Sequence, residues 1–404
     1  MGPRTPTFGE LVGDEAEFFA SYFTQRPLFR PGALAGDMSE ILSIADMDDI
    51  VHQEGLRSSL FRMLGRGVLA TGPALTRRLE LRREGHSFDD APDADKIYAH
   101  FRSGKTLIHA GLNHTRPNLR RLCGILTEKF AAPSEAVAFL TPAGTQAGTV
   151  HSDPSDVYII QLAGSKHWQV WPTPESRRMG VDREHETAEL PEPILDTVLR
   201  PGDVLYLPYG TPHVAAAKEQ TSLHLTMVAL TPTWSRLLAQ VLENVLDEDE
   251  DFWSVPYLGD TPANVDAAMR EKLTVLTARL GRLDTQPALR RVVDAGRAYT
   301  GVAQGSYFQE MATVDGIDAD TKVSSVPDST VFHDVTDGVG QVTINGNRIR
   351  ILEGGVAALR SVNEGAPLRA GDFLSGRTPQ ESLAMVRQLI RLGALRILGD
   401  AAHA

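Results

Sequence analysis

His151 and Asp153 stand two residues apart at the head of HSDPSDVYIIQLAGSKHWQVW, residues 151–171, directly before an apolar run rich in Ile, Val and aromatic residues. Side chains alternate between faces along a strand, so these two point the same way while Ser152 points away. A histidine nitrogen and a carboxylate oxygen on one wall form a chelate for a metal ion. A second histidine completes the set. In RPGDVLYLPYGTPHVAAA, Gly202, Pro208, Gly210 and His213 follow the spacing G-x5-P-x-G-x2-H. Pro208 and Gly210 suit a tight turn, and the strand returning from it starts with His213 facing inward. Two histidines and one carboxylate leave three coordination positions open, the arrangement used by non-haem Fe(II) oxygenases. The expected ligands are therefore His151, Asp153 and His213, with His213 facing the other two across a barrel.

The same His-x-acid pattern occurs in His52-Gln53-Glu54, but ADMDDIVHQEGL reads as helix, where residues two apart do not share a face. A lone histidine is more often a hydrogen-bonded core or surface residue than a ligand. What separates 151–153 from the decoy is its place at a strand start and its partner motif at 202–213.

The elements that position these residues follow from the patterning. Residues 9 to about 130 read as helices joined by turns: LVGDEAEFFASYFTQRPLF has helical spacing up to Pro27, and NLRRLCGILTEKF is amphipathic. From about 135 to 230 come short β-rich runs, AVAFLTP, DVYIIQLAG, HWQVWP, DVLYLPYG and TSLHLTMVALTP, separated by Gly and Pro turns. Many short strands without intervening helices suggest a barrel or sandwich. Helices return after Pro232, and Met269, Leu273, Leu276, Leu280 and Leu283 alternate steps of four and three, a heptad seam. Toward the end, GQVTINGNRIRIL reads as a hairpin turning at Asn345-Gly346, and TPQESLAMVRQLIRLGALRIL as a helix stopped near Gly393 and followed by a short strand.

Bulk properties limit the function classes. The chain has 404 residues, 42% of them hydrophobic and 23% charged, enough for two or three globular domains. Cys123 is its single cysteine, which excludes an intrachain disulfide and favours a reducing compartment. The first residues contain no apolar export segment, Pro6 occupies the position a myristoylation signal reserves for Ser or Thr, and no run approaches the roughly 20 apolar residues needed to cross a bilayer. The expectation is a cytoplasmic protein. A net charge of -12 argues against broad nucleic-acid binding.

LTPAGTQAGTVHSDPSDVYIIQLAGSKHW, LRPGDVLYLPYGTPHVA and SLHLTM resemble the JmjC-type oxygenases of the ribosomal oxygenase group, and the 202–213 spacing is similar to the second motif of the cupin barrels. The resemblance implies an α+β chain built on a double-stranded β-helix, the cupin/JmjC jelly-roll barrel. N-terminal helices and the barrel would fill 1–232, a helical dimerisation region 233–321, and a winged-helix-like domain 322–404. It implies Fe(II) at His151, Asp153 and His213, with 2-oxoglutarate as cosubstrate and O2 as oxidant. Lys166 matches the basic residue that binds the distal carboxylate of 2-oxoglutarate, and Thr141, Ser222 and His224 match further cosubstrate positions. Only seven of the 40 basic residues are Lys, so Lys166 is not background composition. Two positions depart from the group's pattern: Val137 stands where some members have Asn, and Tyr209 where relatives often have Arg.

The leading expectation is an Fe(II)- and 2-oxoglutarate-dependent hydroxylase of a protein or peptide side chain, with a ribosomal protein as one candidate substrate, working as a homodimer through residues 235–285. One alternative is a hydroxylase of a small-molecule or carrier-bound amino acid. Others are a non-oxidative cupin isomerase and a non-enzymatic regulator that binds DNA through the C-terminal module. Residues 322–404 carry nine Lys or Arg against eight Asp or Glu, a balance near neutrality that disfavours DNA binding.

Overall fold

A run such as DVYIIQLA, apolar on both faces, has to be covered on both sides, and the architecture follows from that requirement. The computed structural model describes residues 5–398 except 66, 82–84, 147, 287–288, 290–291, 294–306, 327–328, 337, 346 and 364–366. Up to residue 130 the elements are α1 (Phe8–Val12), α2 (Glu15–Ser21), β1 (Leu28–Arg30), α3 (Ile44–Val51), β2 (Phe61–Gly65), β3 (Val68–Ala70), β4 (Thr76–Leu81), β5 (His86–Pro92), α4 (Ala94–Arg102), β6 (Thr106–His109), α5 (Leu112–Thr115) and α6 (Pro117–Phe130). The strands β7 (Ser134–Thr141), β8 (Thr145–Gln146), β9 (His151–Ser152), β10 (Asp156–Ala163), β11 (Lys166–Val170), β12 (Arg183–Glu184), β13 (Leu195–Leu199), β14 (Val204–Leu207), β15 (His213–Ala217) and β16 (Ser222–Ala229) come next. They precede α7 (Trp234–Glu248) and α8 (Pro262–Leu280).

Two antiparallel sheets make the barrel. The first has the order β1-β14-β10-β16-β7-β6-β2-β3, and the second β12-β9-β15-β11-β13 with β8 added beside β15. Strand β10 is buried along nearly all its length. Its Val157 and Ile159 meet Trp168 and Val170 of the second sheet inside the barrel. Its Tyr158 and Ile160 face outward and pack with Phe8, Phe18, Leu122 and Leu126 of the N-terminal helices. The helices thus cover the back of the first sheet and leave its inner face to the site.

The expectation of helices throughout 9–130 is corrected here: five helices and α1 share that stretch with six strands. Strand β2 alternates buried Phe61 and Met63 with Arg62 and Leu64, which line the cavity, and joins the first sheet through β6, with Arg62 opposite Ile108 and Leu64 opposite Thr106. The run from Leu11 toward Pro27 is likewise two short helices, broken at Gly13, whose φ of 85° ends the first. The decoy His52 is the C-terminal cap of α3, its Nδ1 donating to the Asp48 carbonyl at 2.7 Å.

No residue of α7 or α8 is buried. Of the heptad seam, Met269, Leu273 and Leu280 are exposed while Leu276 and Leu283 are half-buried, and Trp234 and Leu238 of α7 are exposed as well.

The chain divides into two compact units, one extending to residue 300 and the other from 301. The second contains α9 (Tyr307–Thr313), β17 (Lys322–Ser325), β18 (Thr330–Thr336), β19 (Val339–Ile344), β20 (Asn347–Leu352), α10 (Glu353–Asn363), β21 (Leu368–Arg369), α11 (Pro379–Arg391) and β22 (Leu395–Ile397). These form two three-stranded sheets, β21-β17-β22 and β18-β19-β20, around a core of its own that includes Val323, Val342, Leu359, Phe373 and Leu389. Strands β19 and β20 pair as the expected hairpin, with Asn345 in the left-handed region and Gly346 outside the described residues. Helix α11 ends at Arg391, followed by Gly393 at φ 75° and β22.

Candidate metal centre

His151 and His213 are register partners on the neighbouring strands β9 and β15, and their rings lie 4.5 Å apart between centroids. The expected placement across the barrel is therefore corrected: the two histidines sit side by side in one sheet. Asp153 lies just beyond β9, because the chain leaves the second sheet at Pro154-Ser155 and enters the first at Asp156. Its carboxylate nonetheless swings between both imidazoles, with His151 Nε2 3.9 Å from Oδ1 and His213 Nε2 3.7 Å from Oδ2. One donor atom from each of the three falls within 4.8 Å of the others, the only such grouping of His, Cys, Asp or Glu among the described residues.

The donor set fits a divalent transition metal. Each imidazole donates its Nδ1 proton to a carbonyl two residues back, His151 to Thr149 and His213 to Thr211, both at 3.0 Å. That bond fixes the tautomer and leaves the Nε2 lone pair facing the site. Burial holds His213 below the ordinary histidine range, so its ring favours the neutral form a metal needs. The turns carrying the ligands are tied together: Gly210 N donates to the Asp153 carbonyl at 2.9 Å, and Tyr209 N to Asp156 Oδ1 at 2.8 Å. Gly210 has φ 75°, and a Cβ there would strike Arg177. The Tyr209 ring lies under the Arg177 guanidinium at 4.5 Å, a packing contact at this turn.

Beside the metal ligands is a cavity of about 330 Å3 with walls that include Val137, Phe139, Ile159, Trp168, Thr226 and Val228. Lys166 opens β11 with 2% of its surface exposed. Its Nζ donates to Thr141 Oγ1 at 3.0 Å and lies 3.4 Å from His224 Nδ1. No carboxylate pairs with it among the described residues, and burial pushes its pKa down from 10.5 to about 7. A buried cation without a counter-ion calls for an anionic ligand. His224 stacks on Phe139 with ring centroids 4.7 Å apart, and Trp168 stacks on His213 and meets His224 edge-on, so one indole joins the lysine end of the cavity to the metal end. Burial, reinforced by Lys166 and His213, keeps His224 well below its ordinary pKa. Ser222 is the register partner of Thr141, and both are fully buried. Val137, the second departure from the relatives' pattern, is part of the cavity wall.

Two fully buried polar residues of this region escaped the sequence reading, Thr106 and Gln161. The signal for Gln161 was present: one amide in the middle of VYIIQLA.

Residues 112–237 match the family model described as the JmjC domain. That stretch of the chain is thus similar to a JmjC domain. Over 245 residues it is 27% identical to the Dictyostelium discoideum bifunctional lysine-specific demethylase and histidyl-hydroxylase NO66, covering 57% of this chain and 44% of that one. Over 184 residues it is 32% identical to the rat ribosomal oxygenase 1, covering 41% and 31% respectively. The chain thus spans less than half the length of these curated relatives. Among solved structures, that of Escherichia coli YcfD matches 96% of this chain and 99% of its own at 16% identity and a TM-score of 0.53. YcfD is described as a ribosomal oxygenase in a complex with cobalt and 2-oxoglutarate, which matches at 17% identity and a TM-score of 0.51. The architecture around the JmjC domain is of that type, with helices and strands mixed about the barrel.

Proposed function

We propose that this protein is an Fe(II)- and 2-oxoglutarate-dependent oxygenase that hydroxylates a side chain of a protein, with a ribosomal protein as the substrate to try first. The observation that carries the reading is Lys166, a buried ammonium without a carboxylate partner, linked by Trp168 to a cluster of two histidines and an aspartate. The histidyl-hydroxylase and ribosomal oxygenase relatives support the reaction class. Fe(II), when bound, supplies the activation of O2, so that one oxygen atom enters a C–H bond and the other enters succinate as 2-oxoglutarate loses CO2. The chain's residues do the rest. His151, Asp153 and His213 hold the metal by three donors and leave the remaining positions open. Lys166 neutralises the far carboxylate of 2-oxoglutarate, while Thr141 and Ser222 offer it hydroxyl donors and His224 closes the wall beside it. Phe139, Ile159, Trp168 and Val228 keep water from the site. Turnover of 2-oxoglutarate to succinate, with a gain of one oxygen atom by a ribosomal protein or its peptides in a mass spectrum, tests the proposal. Succinate formation without any product on a broad protein panel, but with product on a free amino acid, would move the substrate to a small molecule.

The Lys166 environment gives a pH signature. In the ligand-free protein its pKa is near 7, and a bound dicarboxylate raises it again. The complex therefore binds more protons than the free protein above that value. Affinity for 2-oxoglutarate is expected to fall as the pH climbs past about 7, by up to about tenfold per unit, with proton uptake on binding. Calorimetry in buffers of different ionisation enthalpy reads both quantities, and a flat profile from pH 6.5 to 9 would count against Lys166 as the anion's partner.

The exposed seam on α8 and the exposed Trp234 and Leu238 on α7 support a homodimer through residues 235–285. Glutamate at Leu273 and Leu280 is expected to give a monomer by light scattering at micromolar concentration. A dimer that survives both changes would place the interface elsewhere. In this reading 1–232 is the catalytic domain and the dimerisation region follows it; the expected boundary at 321/322 moves toward the N-terminus, because α9, Val314 and Ile317 belong to the second unit, read as a winged-helix-like domain whose near-neutral charge does not suit DNA. A cytoplasmic home accords with the single, buried Cys123, and no helix among the described residues is long and apolar enough to cross a membrane.

A further inference from the structure

Near the lysine end of the cavity, Thr106 and Gln161 are fully buried, and each bonds one of the two hydroxyls, Thr141 and Ser222, that the proposed function assigns to the cosubstrate. We infer that Thr106 and Gln161 are positioning residues that turn the Thr141 and Ser222 hydroxyls into donors toward the far carboxylate of 2-oxoglutarate. This rests on the cosubstrate reading given above.

The argument is one of proton counting. A hydroxyl has one proton to give and two lone pairs that accept. Thr141 Oγ1 accepts from Thr106 Oγ1 at 3.0 Å and from Lys166 Nζ at 3.0 Å. With both lone pairs engaged, its own proton must go to a third partner. At Ser222 the acceptor role is filled by Gln161 Nε2 at 2.9 Å. An amide nitrogen cannot accept, so Ser222 also keeps its proton for another group. The orientation of the Gln161 amide is fixed by its other neighbours: Nε2 donates to the Ala163 carbonyl at 2.8 Å and faces the Leu223 carbonyl at 3.3 Å, where an amide oxygen would meet two acceptors. Gln161 Oε1 has no partner among the described residues, so the side chain is held through its donor end alone.

The backbone is shaped for this contact. The pairing of β10 with β16 shifts register between Gln161 and Ala163, a bulge of the kind that re-aims side chains next to sites. The turn that follows passes through Gly164 at φ 60°, where a Cβ would collide with the Thr221 carbonyl oxygen. Only glycine lets the β10–β11 turn sit this close to Ser222. Thr141 and Ser222 are direct cross-strand neighbours. Two hydroxyl protons and one ammonium thus lie side by side with no carboxylate among the described residues to receive them.

The test is direct binding of 2-oxoglutarate to the full chain loaded with redox-silent Mn(II), by calorimetry, with the melting temperature recorded for each variant. Thr106→Val and Gln161→Met are each expected to weaken binding by about fivefold to tenfold, because a hydroxyl free to rotate donates less well to a charged acceptor. Thr106→Ser should restore the parent affinity. Gln161→Met combined with Ser222→Ala should bind no more weakly than Ser222→Ala alone, since Gln161 acts through that hydroxyl. Additive losses in that pair, or parent-like affinity in both single variants, overturn the inference. If Gln161→Met does not fold, Gln161→Glu serves in its place: a carboxylate at that position draws the Ser222 proton to itself, and binding should fall further. Lys166→Ala and Ser222→Ala in the same series separate the levels. If neither weakens binding, the cosubstrate reading fails along with this inference. If both do while Thr106→Val and Gln161→Met do not, only the positioning roles fall.

Discussion

Alanine at His151 or at Asp153 is expected to abolish 2-oxoglutarate turnover and to weaken iron binding by about a hundredfold or more, while the protein melts within about 3 °C of the parent. The two halves of this result have different causes. In the proposed site each of these residues supplies one of three donors, and a site left with two is expected to hold Fe(II) poorly. The fold is insensitive because the side chains of His151 and Asp153 are 37% and 32% exposed and lie at the rim of the second sheet. Substitutions at such places shift stability by only about 0.5 kcal/mol. His213 is a poorer probe: its side chain is 5% exposed and it stacks on Trp168, so an alanine there mixes metal loss with a cavity. Metal content, succinate release and a thermal melt on the same samples decide the matter. Succinate production at the parent rate in either variant would remove the metal assignment.

Lys166→Met is expected to raise the KM for 2-oxoglutarate about a hundredfold, leave the KM for the protein substrate within a factor of about two, and hold or raise the melting temperature of the ligand-free protein. The affinity loss corresponds to about 2.7 kcal/mol, in the range for a charge-assisted hydrogen bond with its ion-pair component. The stability result is the more discriminating one. A structural lysine would take stability with it when removed. Lys166 instead sits buried with no acid beside it, and the lowering of its pKa to about 7 records the strain of keeping that charge out of water. Methionine fills nearly the same volume without the charge. A drop of many degrees in the ligand-free protein, or a parallel rise of both Michaelis constants, would mean that Lys166 holds the barrel together or touches the prime substrate.

How much of this was legible beforehand depended on the range of the interactions. His151, Asp153 and His213 could be found because a metal needs particular donors at particular offsets, and because the turn before His213 needs Pro208 and Gly210; all of that is local. Lys166 was picked out by the family resemblance, and the scarcity of lysine in an arginine-rich chain only made it stand out further. The side-by-side placement of His151 and His213 was not legible, since it depends on β9 pairing with β15, a register between segments far apart in sequence. The same holds for β2 and β6, which were absorbed into a helical reading: β2 has five residues, and its partner enters after the β4–β5 hairpin and α4. The roles of Thr106 and Gln161 depend on which atom faces which, a matter of side-chain geometry that spacing cannot encode.

The first sheet has β1 paired with β14, so Leu28–Arg30 lies against Val204–Leu207, and the Tyr206 hydroxyl accepts from the Thr24 backbone. On the ribosome, that segment has to wait until residue 207 has left the exit tunnel before it can find its place. His213 follows a few residues later, together with the strand that aligns it with His151. The donors of the proposed metal site are therefore brought together late in synthesis, when β15 pairs with β9. Strand β16, which lies between β10 and β7, is still to come at that point, and chains cut short before His213 lack one of the three proposed donors and are expected to retain iron poorly.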